Sequence, residues 1–255
     1  MSSLKNIIVI LLVIAFAPAA FAENSADNRS SYQLLRVIEV EGRQGIATDG
    51  ETYFVSSSTA LYRYSKTGEL LSKNESALVG LPKEANHIGD IDVHDAEIYA
   101  GIEHFVDGQG QNIQIAVYDA NTLEYRRSMP WDPDSGQVEV SGVAVDPIKG
   151  HIWLTDWVNG RYLYRYDLKS GEYAGKLHLR APPQWQQGVA YRDGYLYITA
   201  DDGNAEEQEI DNLWRVPAET TATAAYVTHE HAFSEFRRVG EIEGISFDSE
   251  AGELI

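Results

Sequence analysis

The sequence contains no cysteine, and this absence limits both its stabilisation and its chemistry. A disulfide framework and a thiolate nucleophile are excluded, as is a lipid-modified cysteine near the N-terminus. The core must therefore form by apolar burial alone. A chain of 255 residues is long enough to bury a sizeable core in this way.

Basic residues are also scarce, with 20 lysines and arginines against 39 aspartates and glutamates and a formal net charge of −19. Nucleic acids and anionic membranes bind to basic surfaces, so we expect neither as a partner. A divalent cation or a cationic ligand suits this charge better. The alternative is that the acidic surface serves only to keep the protein soluble.

Long apolar runs are missing except at the N-terminus. Lys5 precedes an apolar run over residues 7–16, and a small-x-small pattern closes the segment before Glu23. This pattern predicts a secretory signal peptide over residues 1–22, so that the mature protein is periplasmic or secreted and has no membrane span. A retained N-terminal anchor is the alternative. The polar residues 23–31 are predicted to be a flexible lead-in.

A phrase of six residues recurs along the rest of the chain at intervals of 45 to 56 residues. Its five copies are QGIATD from Gln44, GDIDVH from Gly89, SGVAVD from Ser141, QGVAYR from Gln187 and EGISFD from Glu243. A turn and a second short strand follow each copy, and in four units a third strand such as LYRYS or YLYRYD comes next. Four antiparallel strands at this period are typical of a β-propeller blade. We therefore predict an all-β propeller over residues 32–255.

The repeat also predicts the number of blades. There are four full units and the start of a fifth, which breaks off at Ile255. The run Tyr32–Gly42 has no inner strands before it, so we expect it to be the outer strand of the last blade. This arrangement predicts a five-bladed ring, or a six-bladed one if more chain is missing. In either case the sequence is expected to be truncated at its C-terminus.

The second copy departs from the others at two positions. The other copies place small residues on the face of the first strand that is crowded near the axis, whereas this copy has Asp90 and Asp92 there. Buried carboxylates need partners, because isolated ones cost several kcal/mol. One interpretation is that both accept backbone N–H bonds from neighbouring blades. The other is that they form a metal or ligand site at the axis.

The starts of the first strands and the loops between second and third strands are expected at one end of the ring, which we call the top face. Two of these loops, EHFVDGQGQN and DDGNAEEQEID, are predicted to be long, and long loops on a rigid scaffold often carry binding residues. Aromatic residues such as Phe105 could stack on a ring of a ligand. The predicted ligand-binding residues on this face are Gln44, Asp156, Trp157, Trp185, Gln187 and Asp202.

The repeat resembles the calcium-dependent propeller hydrolases, namely gluconolactonases, paraoxonase-type arylesterases and strictosidine-synthase-like proteins. The resemblance depends on Glu243-Gly244, which is similar to the Glu-Gly at which that group supplies a calcium ligand, and on Asp156 after IWLT. Members of the group usually have asparagine where this chain has Ser141, and they have six blades. The YDLKSG-type turns are also similar to those of non-enzymatic propellers of the NHL-like kind.

Two functions follow as hypotheses. The first is an extracytoplasmic binding module that takes a small molecule, glycan or peptide on its acidic top face. The second is a calcium-dependent lactonase or esterase, in which the metal polarises a carbonyl and His87 or His104 moves protons. The metal ligands in this second hypothesis are Asp90, Asp92, Glu103 and Glu243. The sequence indicates neither a substrate nor an oligomeric state.

Overall fold

The computed structural model describes residues 13–15, 32–204, 207–219, 221–235 and 240–255. These residues form β-strands joined by turns and loops, with a 3-10 turn at Pro133–Ser135 and no α-helix. None of them lies in a helix long and apolar enough to cross a membrane. The predicted lead-in and most of the predicted signal peptide lie outside the described residues.

The strands of the described residues are, in chain order, β1 (Val13–Ala15), β2 (Leu34–Arg36), β3 (Gly45–Thr48), β4 (Thr52–Ser56), β5 (Leu61–Ser65), β6 (Leu70–Asn74), β7 (His87–His94), β8 (Glu97–Val106), β9 (Gln109–Asp119), β10 (Tyr125–Pro130), β11 (Val143–Asp146), β12 (His151–Leu154), β13 (Tyr162–Asp167), β14 (Tyr173–Arg180), β15 (Gln186–Arg192), β16 (Tyr195–Ala200), β17 (Asn212–Pro217), β18 (Ala224–Tyr226), β19 (Thr228–Ala232), β20 (Phe247–Asp248) and β21 (Glu253–Leu254).

Four antiparallel blades follow the predicted repeat. Their strand orders, from the first strand outwards, are β3-β4-β5-β6, β7-β8-β9-β10, β11-β12-β13-β14 and β15-β16-β17-β19. In the third blade β18 adds a parallel strand to the outer edge of β14. The structure thus confirms an all-β propeller with four blades, and the predicted third strands LYRYS and YLYRYD coincide with β5 and β13.

A fifth four-stranded sheet has the order β20-β21-β1-β2. Its outermost strand, Leu34–Arg36, lies within the run that the sequence predicted to be an outer strand. Its third strand, Val13–Ala15, pairs with β2 and β21 and falls within the predicted signal peptide. Cleavage after residue 22 would remove this strand, and the signal peptide itself stays a prediction.

Turn chemistry explains why the chain folds back where it does. Asp95-Ala96, Asp107-Gly108 and Asp193-Gly194 each connect two paired strands, and both residues of each turn have positive φ. Two-residue turns with this backbone match the twist of antiparallel strands, and aspartate and glycine adopt it most easily. The prediction of a long loop in the second blade was wrong. EHFVDGQGQN instead extends β8 and β9 into a hairpin that closes at Asp107-Gly108, so Glu103 and Phe105 lie on a strand.

The core lies between neighbouring blades. Ile91, on the first strand of the second blade, is buried with Phe54 of the first blade, and Val189 of the fourth blade is buried with Trp153 of the third. On the first strands the sequence alternates between apolar and small residues. The small-residue face of one blade packs against the apolar face of the next, since Ala47 lies in the same cluster as Ile91. The predicted apolar face is therefore packed between blades, and the small residues are packed there as well.

The first strands crowd together around the axis. β3 contacts β7 and β20, β7 contacts β11 and also β15, and β15 contacts β20. Gly45 and Gly244 allow this close approach. A Cβ added to Gly244 would lie 2.7 Å from the Cα of Gly45 and 2.8 Å from the N of Ile46, well inside normal contact distance.

This crowding generates a first prediction. Gly244→Ala should destabilise the protein by about 1–3 kcal/mol, because the new methyl meets the buried carboxylate of Asp90 as well as the backbone of Gly45 and Ile46, and none of these can move aside cheaply. Urea denaturation measures the change. Gly240→Ala is the matched control, since a Cβ there meets nothing within 4 Å. Equal stability of the two variants would show that the first strands are not packed this closely.

Candidate functional site

Asp90 lies at the axis and joins three blades. Its side chain is almost fully buried. Oδ1 accepts hydrogen bonds from the backbone N–H groups of Ile91 (2.9 Å) and Ile46 (3.3 Å), and Oδ2 accepts one from Val189 (3.2 Å). The innermost strand of a blade has a partner on one side only, so some of its N–H groups point towards the axis without a partner in the sheet. Asp90 supplies acceptors for such groups.

Asp92 makes the same kind of connection one step further along the strand. Its Oδ1 accepts from the N–H of Val93 (2.8 Å) and its Oδ2 from the N–H of Val145 in the third blade (2.7 Å). Both aspartates thus show the geometry of the first interpretation, in which carboxylates connect neighbouring blades. Metal binding by Asp90 and Asp92 stays a prediction.

Burial shifts the titration of both aspartates. Desolvation raises the pKa of Asp90 well above its usual value, although three backbone hydrogen bonds act in the opposite direction. Desolvation also raises the pKa of Asp92, to about 6. Each carboxylate therefore carries an energetic cost at neutral pH, which its backbone bonds offset only in part.

A chain of polar side chains crosses the top face. The Nε2 of Gln44 donates to Oε1 of Glu243 (2.9 Å), and the Oε1 of Gln44 forms a short hydrogen bond with Nε2 of His87. On its other side, the Nδ1 of His87 lies 3.4 Å from Oε1 of Glu103. The structure therefore brings together four of the predicted site residues, from three different parts of the ring.

The hydrogen bonds in this chain define the orientation of His87. Since Glu243 accepts from the Gln44 amide nitrogen, the amide oxygen faces His87 and can only accept. The proton on the ring must then be at Nε2. This leaves Nδ1 of a neutral ring as an acceptor, and it faces a second acceptor, the carboxylate of Glu103.

Glu103 is fully buried and only half satisfied. Its Oε2 accepts from the N–H of Val140 (3.1 Å), whereas its Oε1 accepts no hydrogen bond from the described part of the chain. His87 and Glu103 are directly opposite each other in the β7–β8 pair, at the top of the blade. The hairpin extension of the second blade is what places Glu103 at this point.

Glu139 is a site residue that the sequence analysis missed. It is buried, and its Oε2 accepts from the N–H of Trp157 (2.5 Å). Its place in the repeat could have revealed it. Glu139 stands two residues before the phrase that begins at Ser141, just as His87 stands two residues before the phrase that begins at Gly89.

Asp156, a predicted ligand-binding residue, is fully buried and organises the neighbouring loop. Its Oδ2 accepts from the N–H of Val138 (3.0 Å) and its Oδ1 from that of Asn159 (2.7 Å).

Burial raises the pKa of Asp156, and the charge of Glu103 adds to the effect. The pKa of Glu139 is raised well above its usual value by burial and, next in size, by Glu103. Three acidic side chains therefore repel one another at the same place.

Aromatic rings lie beside these acids. The ring centres of Phe105 and Trp157 are 6.5 Å apart in an edge-to-face arrangement, and Phe105 lies 6.2 Å from the ring of His87. Phe105 and Trp157 are both half-buried, so part of each ring faces solvent. The site thus combines buried carboxylates with an accessible aromatic surface.

The remaining predicted residues lie apart from this cluster. Trp185 is exposed, and Gln187 is half-buried next to the fully buried Gln186. Asp202 accepts from the side chains of Asn212 (2.8 Å) and Trp214 (2.7 Å) within the fourth blade. His104 follows Glu103 on the same strand and so faces the opposite side of the sheet, where Glu84 lies 3.9 Å away.

The described residues contain no group of three or more histidines and acids arranged to hold a metal ion. Of the four predicted ligands, Glu103 and Glu243 lie at opposite ends of the polar chain, and Asp90 and Asp92 bind backbone N–H groups. Glu243 is half-buried, and desolvation raises its pKa well above the usual value. The positions of these four side chains do not by themselves indicate a calcium site, which stays a hypothesis.

Comparisons with known proteins identify the fold and no family. No family model and no curated protein matches the chain. Among solved structures, it is similar to the glutaminyl cyclase of Myxococcus xanthus, with a TM-score of 0.59 and 12% identity over 83% of each chain. It is also similar to a chain of a nidogen/laminin complex, with a TM-score of 0.51 and 13% identity over 85% of this chain and 72% of the other. At such identities the likeness shows the propeller fold alone.

The connection between blades through Asp90 can be tested by one substitution. Asp90→Asn should destabilise the protein by at least about 1–3 kcal/mol, because the amide NH₂ would face a buried N–H group that then has no acceptor. Urea denaturation measures the loss. Asp107→Asn removes the same charge at an exposed turn and should leave stability nearly unchanged. An Asp90→Asn protein as stable as the control would contradict the role of Asp90 as an acceptor.

The raised pKa values predict how stability depends on pH. A carboxyl whose pKa is higher in the folded protein stabilises it below the unfolded pKa of about 4, and this contribution is lost as the pH rises through the folded pKa. Asp90, Asp92, Glu139, Asp156 and Glu243 all shift in this direction, and the value for Asp92 is about 6. The melting temperature should therefore fall between pH 5 and pH 7.

Thermal melting across this pH range provides the measurement. Asp92→Asn should flatten part of the slope, since it removes one of the groups that titrate within the range, whereas Asp107→Asn should leave the slope unchanged. A melting temperature that rises steadily from pH 5 to pH 7 is the result that would refute the assignment.

Proposed function

We propose that the protein is an extracytoplasmic binding module whose ligand, a small molecule, glycan or peptide, binds on the top face at the seam between the second and third blades. The observation that carries this proposal is the buried Oε1 of Glu103, which accepts no hydrogen bond from the described residues. Buried polar atoms in folded proteins nearly always have a partner. A ligand that donates to Glu103 would supply the missing one.

The surroundings of Glu103 support binding at this place. His87 and Gln44 connect it to the first blade and, through Glu243, to the fifth sheet, and Phe105 and Trp157 are half-buried aromatic residues beside it. A few convergent polar groups together with perturbed carboxyls are typical of ligand-binding sites. The fold alone cannot decide the function, since the similar structures include both a glutaminyl cyclase and a nidogen/laminin complex.

The calcium-dependent lactonase or esterase is the second candidate and has less support. Its ligands would be Asp90, Asp92, Glu103 and Glu243, and the first two already use their oxygens to accept backbone N–H bonds. Calcium binding would have to break these connections between blades. Its test is a rise of the melting temperature on addition of calcium, together with hydrolysis of δ-gluconolactone.

We also propose that the fifth sheet acts as a fifth blade. The contacts of its first strand β20 with β3 on one side and β15 on the other support a closed ring of five first strands. Localisation outside the cytoplasm depends on the signal peptide predicted from residues 1–22 and is part of the same proposal.

A binding panel tests the proposed function. We expect that one of cellobiose, triglycine and δ-gluconolactone stabilises the protein, by roughly 5–10 °C at a concentration 100 times the Kd. Trp157→Ala should abolish this shift because it removes half of the aromatic surface. Tyr226→Ala removes an exposed aromatic ring on β18, far out on the third blade, and should keep the shift. A shift that survives in Trp157→Ala would place the ligand elsewhere.

A further inference from the structure

The acids at the seam between the second and third blades have no basic partner that balances them. Glu103, Glu139 and Asp156 are each buried to at least 97%. Within the described ranges, no lysine or arginine forms an ion pair with any of the three, and His87 is the one basic side chain within 4 Å of Glu103. Removing a carboxylate from water costs several kcal/mol unless a cation or strong donors compensate. The negative charge at this place is therefore only partly compensated.

Buried acceptors without donors also indicate that the cluster is suited to a donor ligand. Three buried acceptors of this cluster have no donor among the described residues: Oε1 of Glu103, Nδ1 of His87 and Oε1 of Gln137. The amide of Gln137 has a defined orientation, because its Nε2 donates to the carbonyl groups of Glu139 (2.8 Å) and Thr155 (3.3 Å). What the cluster lacks is donors. A ligand that brings only acceptors, such as a carboxylate or phosphate, would add to the repulsion.

The distance between two of these acceptors indicates how many donors the ligand group should have. Nδ1 of His87 and Oε1 of Glu103 are 3.4 Å apart and face each other. Because Nε2 of His87 donates to Gln44, Nδ1 of a neutral ring and Oε1 of Glu103 are two acceptors that face each other, and a group with several donors can serve both. An ammonium group has three N–H donors and can satisfy both acceptors at once.

The neighbouring rings favour an organic cation over a metal ion. Phe105 and Trp157 lie beside the acids, and aromatic faces attract ammonium groups through cation–π interactions. A calcium ion requires six to eight oxygen ligands. Here one oxygen each of Glu103 and Glu139 and both oxygens of Asp156 already accept backbone N–H bonds.

We infer that the top-face site binds a primary ammonium group, which donates to Oε1 of Glu103 and Nδ1 of His87 and lies against the rings of Phe105 and Trp157. This inference rests on the proposed binding function and names the chemical class of its ligand. The strongly acidic composition agrees with it, because a negative field draws cations towards the opening. Amines, and peptides with a free N-terminus, belong to this class.

Calorimetric titration of the full chain with benzylamine and with benzyl alcohol tests the inference. The two probes have the same ring and differ in the ammonium group. Benzylamine should bind, and benzyl alcohol should bind at least tenfold more weakly, since its hydrogen bond is neutral and its single O–H can donate to only one of the two acceptors.

Glu103→Gln should weaken benzylamine binding about 10- to 100-fold, because it removes the charge while its amide oxygen can still accept from Val140. Glu84→Gln is the matched control, since it removes an exposed acid at the same blade and should leave binding unchanged. Should Glu103→Gln fail to fold, Trp157→Ala takes its place, and loss of the cation–π contact should again weaken binding.

The outcomes separate this inference from the proposed function. Equal binding of benzylamine and benzyl alcohol, or binding of cellobiose without binding of benzylamine, would overturn the ammonium assignment and leave a binding module at the same site. Failure of benzylamine and of every member of the panel would overturn both. A calcium-induced rise in melting temperature that Glu103→Gln abolishes, without benzylamine binding, would identify the ligand as a metal ion and also overturn the inference.

Discussion

The N–H groups that the first strands turn towards the axis are the constraint on which the rest of this structure depends. Each blade hydrogen-bonds its first strand on one side only, so the opposite side of that strand needs other acceptors. Asp90 serves strands of the first, second and fourth blades with one carboxylate. Glycines at positions 45 and 244 bring the backbones close enough for this to happen. The axis at this level is consequently occupied by the carboxylate of Asp90 and the backbone around it.

Filling the axis has a consequence for the top face. The first strand of the second blade, β7, contacts β15 across the axis as well as its neighbours β3 and β11. The second blade therefore contacts three other blades through this strand. The same strand that carries Asp90 begins with His87, and its hairpin partner carries Glu103. Structural and candidate functional residues of this blade thus lie on two adjoining strands, one group at the axis and the other at the opening. The departure of this blade from the repeat is accounted for by the connections that Asp90 and Asp92 make.

The periodicity of the sequence was enough to predict the fold, because blades repeat a local pattern of strands and turns. It predicted the four blades and the apolar positions of the first strands that pack between them. It could not identify the partners of Asp90, since Ile46 and Val189 are 44 and 99 residues away and come close only where the blades meet at the axis. The extension of the second hairpin was also hidden. EHFVDGQGQN contains two glycines and few β-branched residues, so its composition is that of a loop, whereas pairing between β8 and β9 makes it a strand.

The position two residues before each repeated phrase shows where the blades are free to differ. Within the strands, one position that packs between blades has a β-branched aliphatic residue in all five copies, namely Ile46, Ile91, Val143, Val189 and Ile245. At this preceding position they have Gly42, His87, Glu139, Trp185 and Glu241. Packing around the axis does not require one residue type there, because this position lies at the rim of the top face. His87 and Glu139 fall in consecutive units and both lie close to Glu103, so the candidate site lies at one seam between two blades.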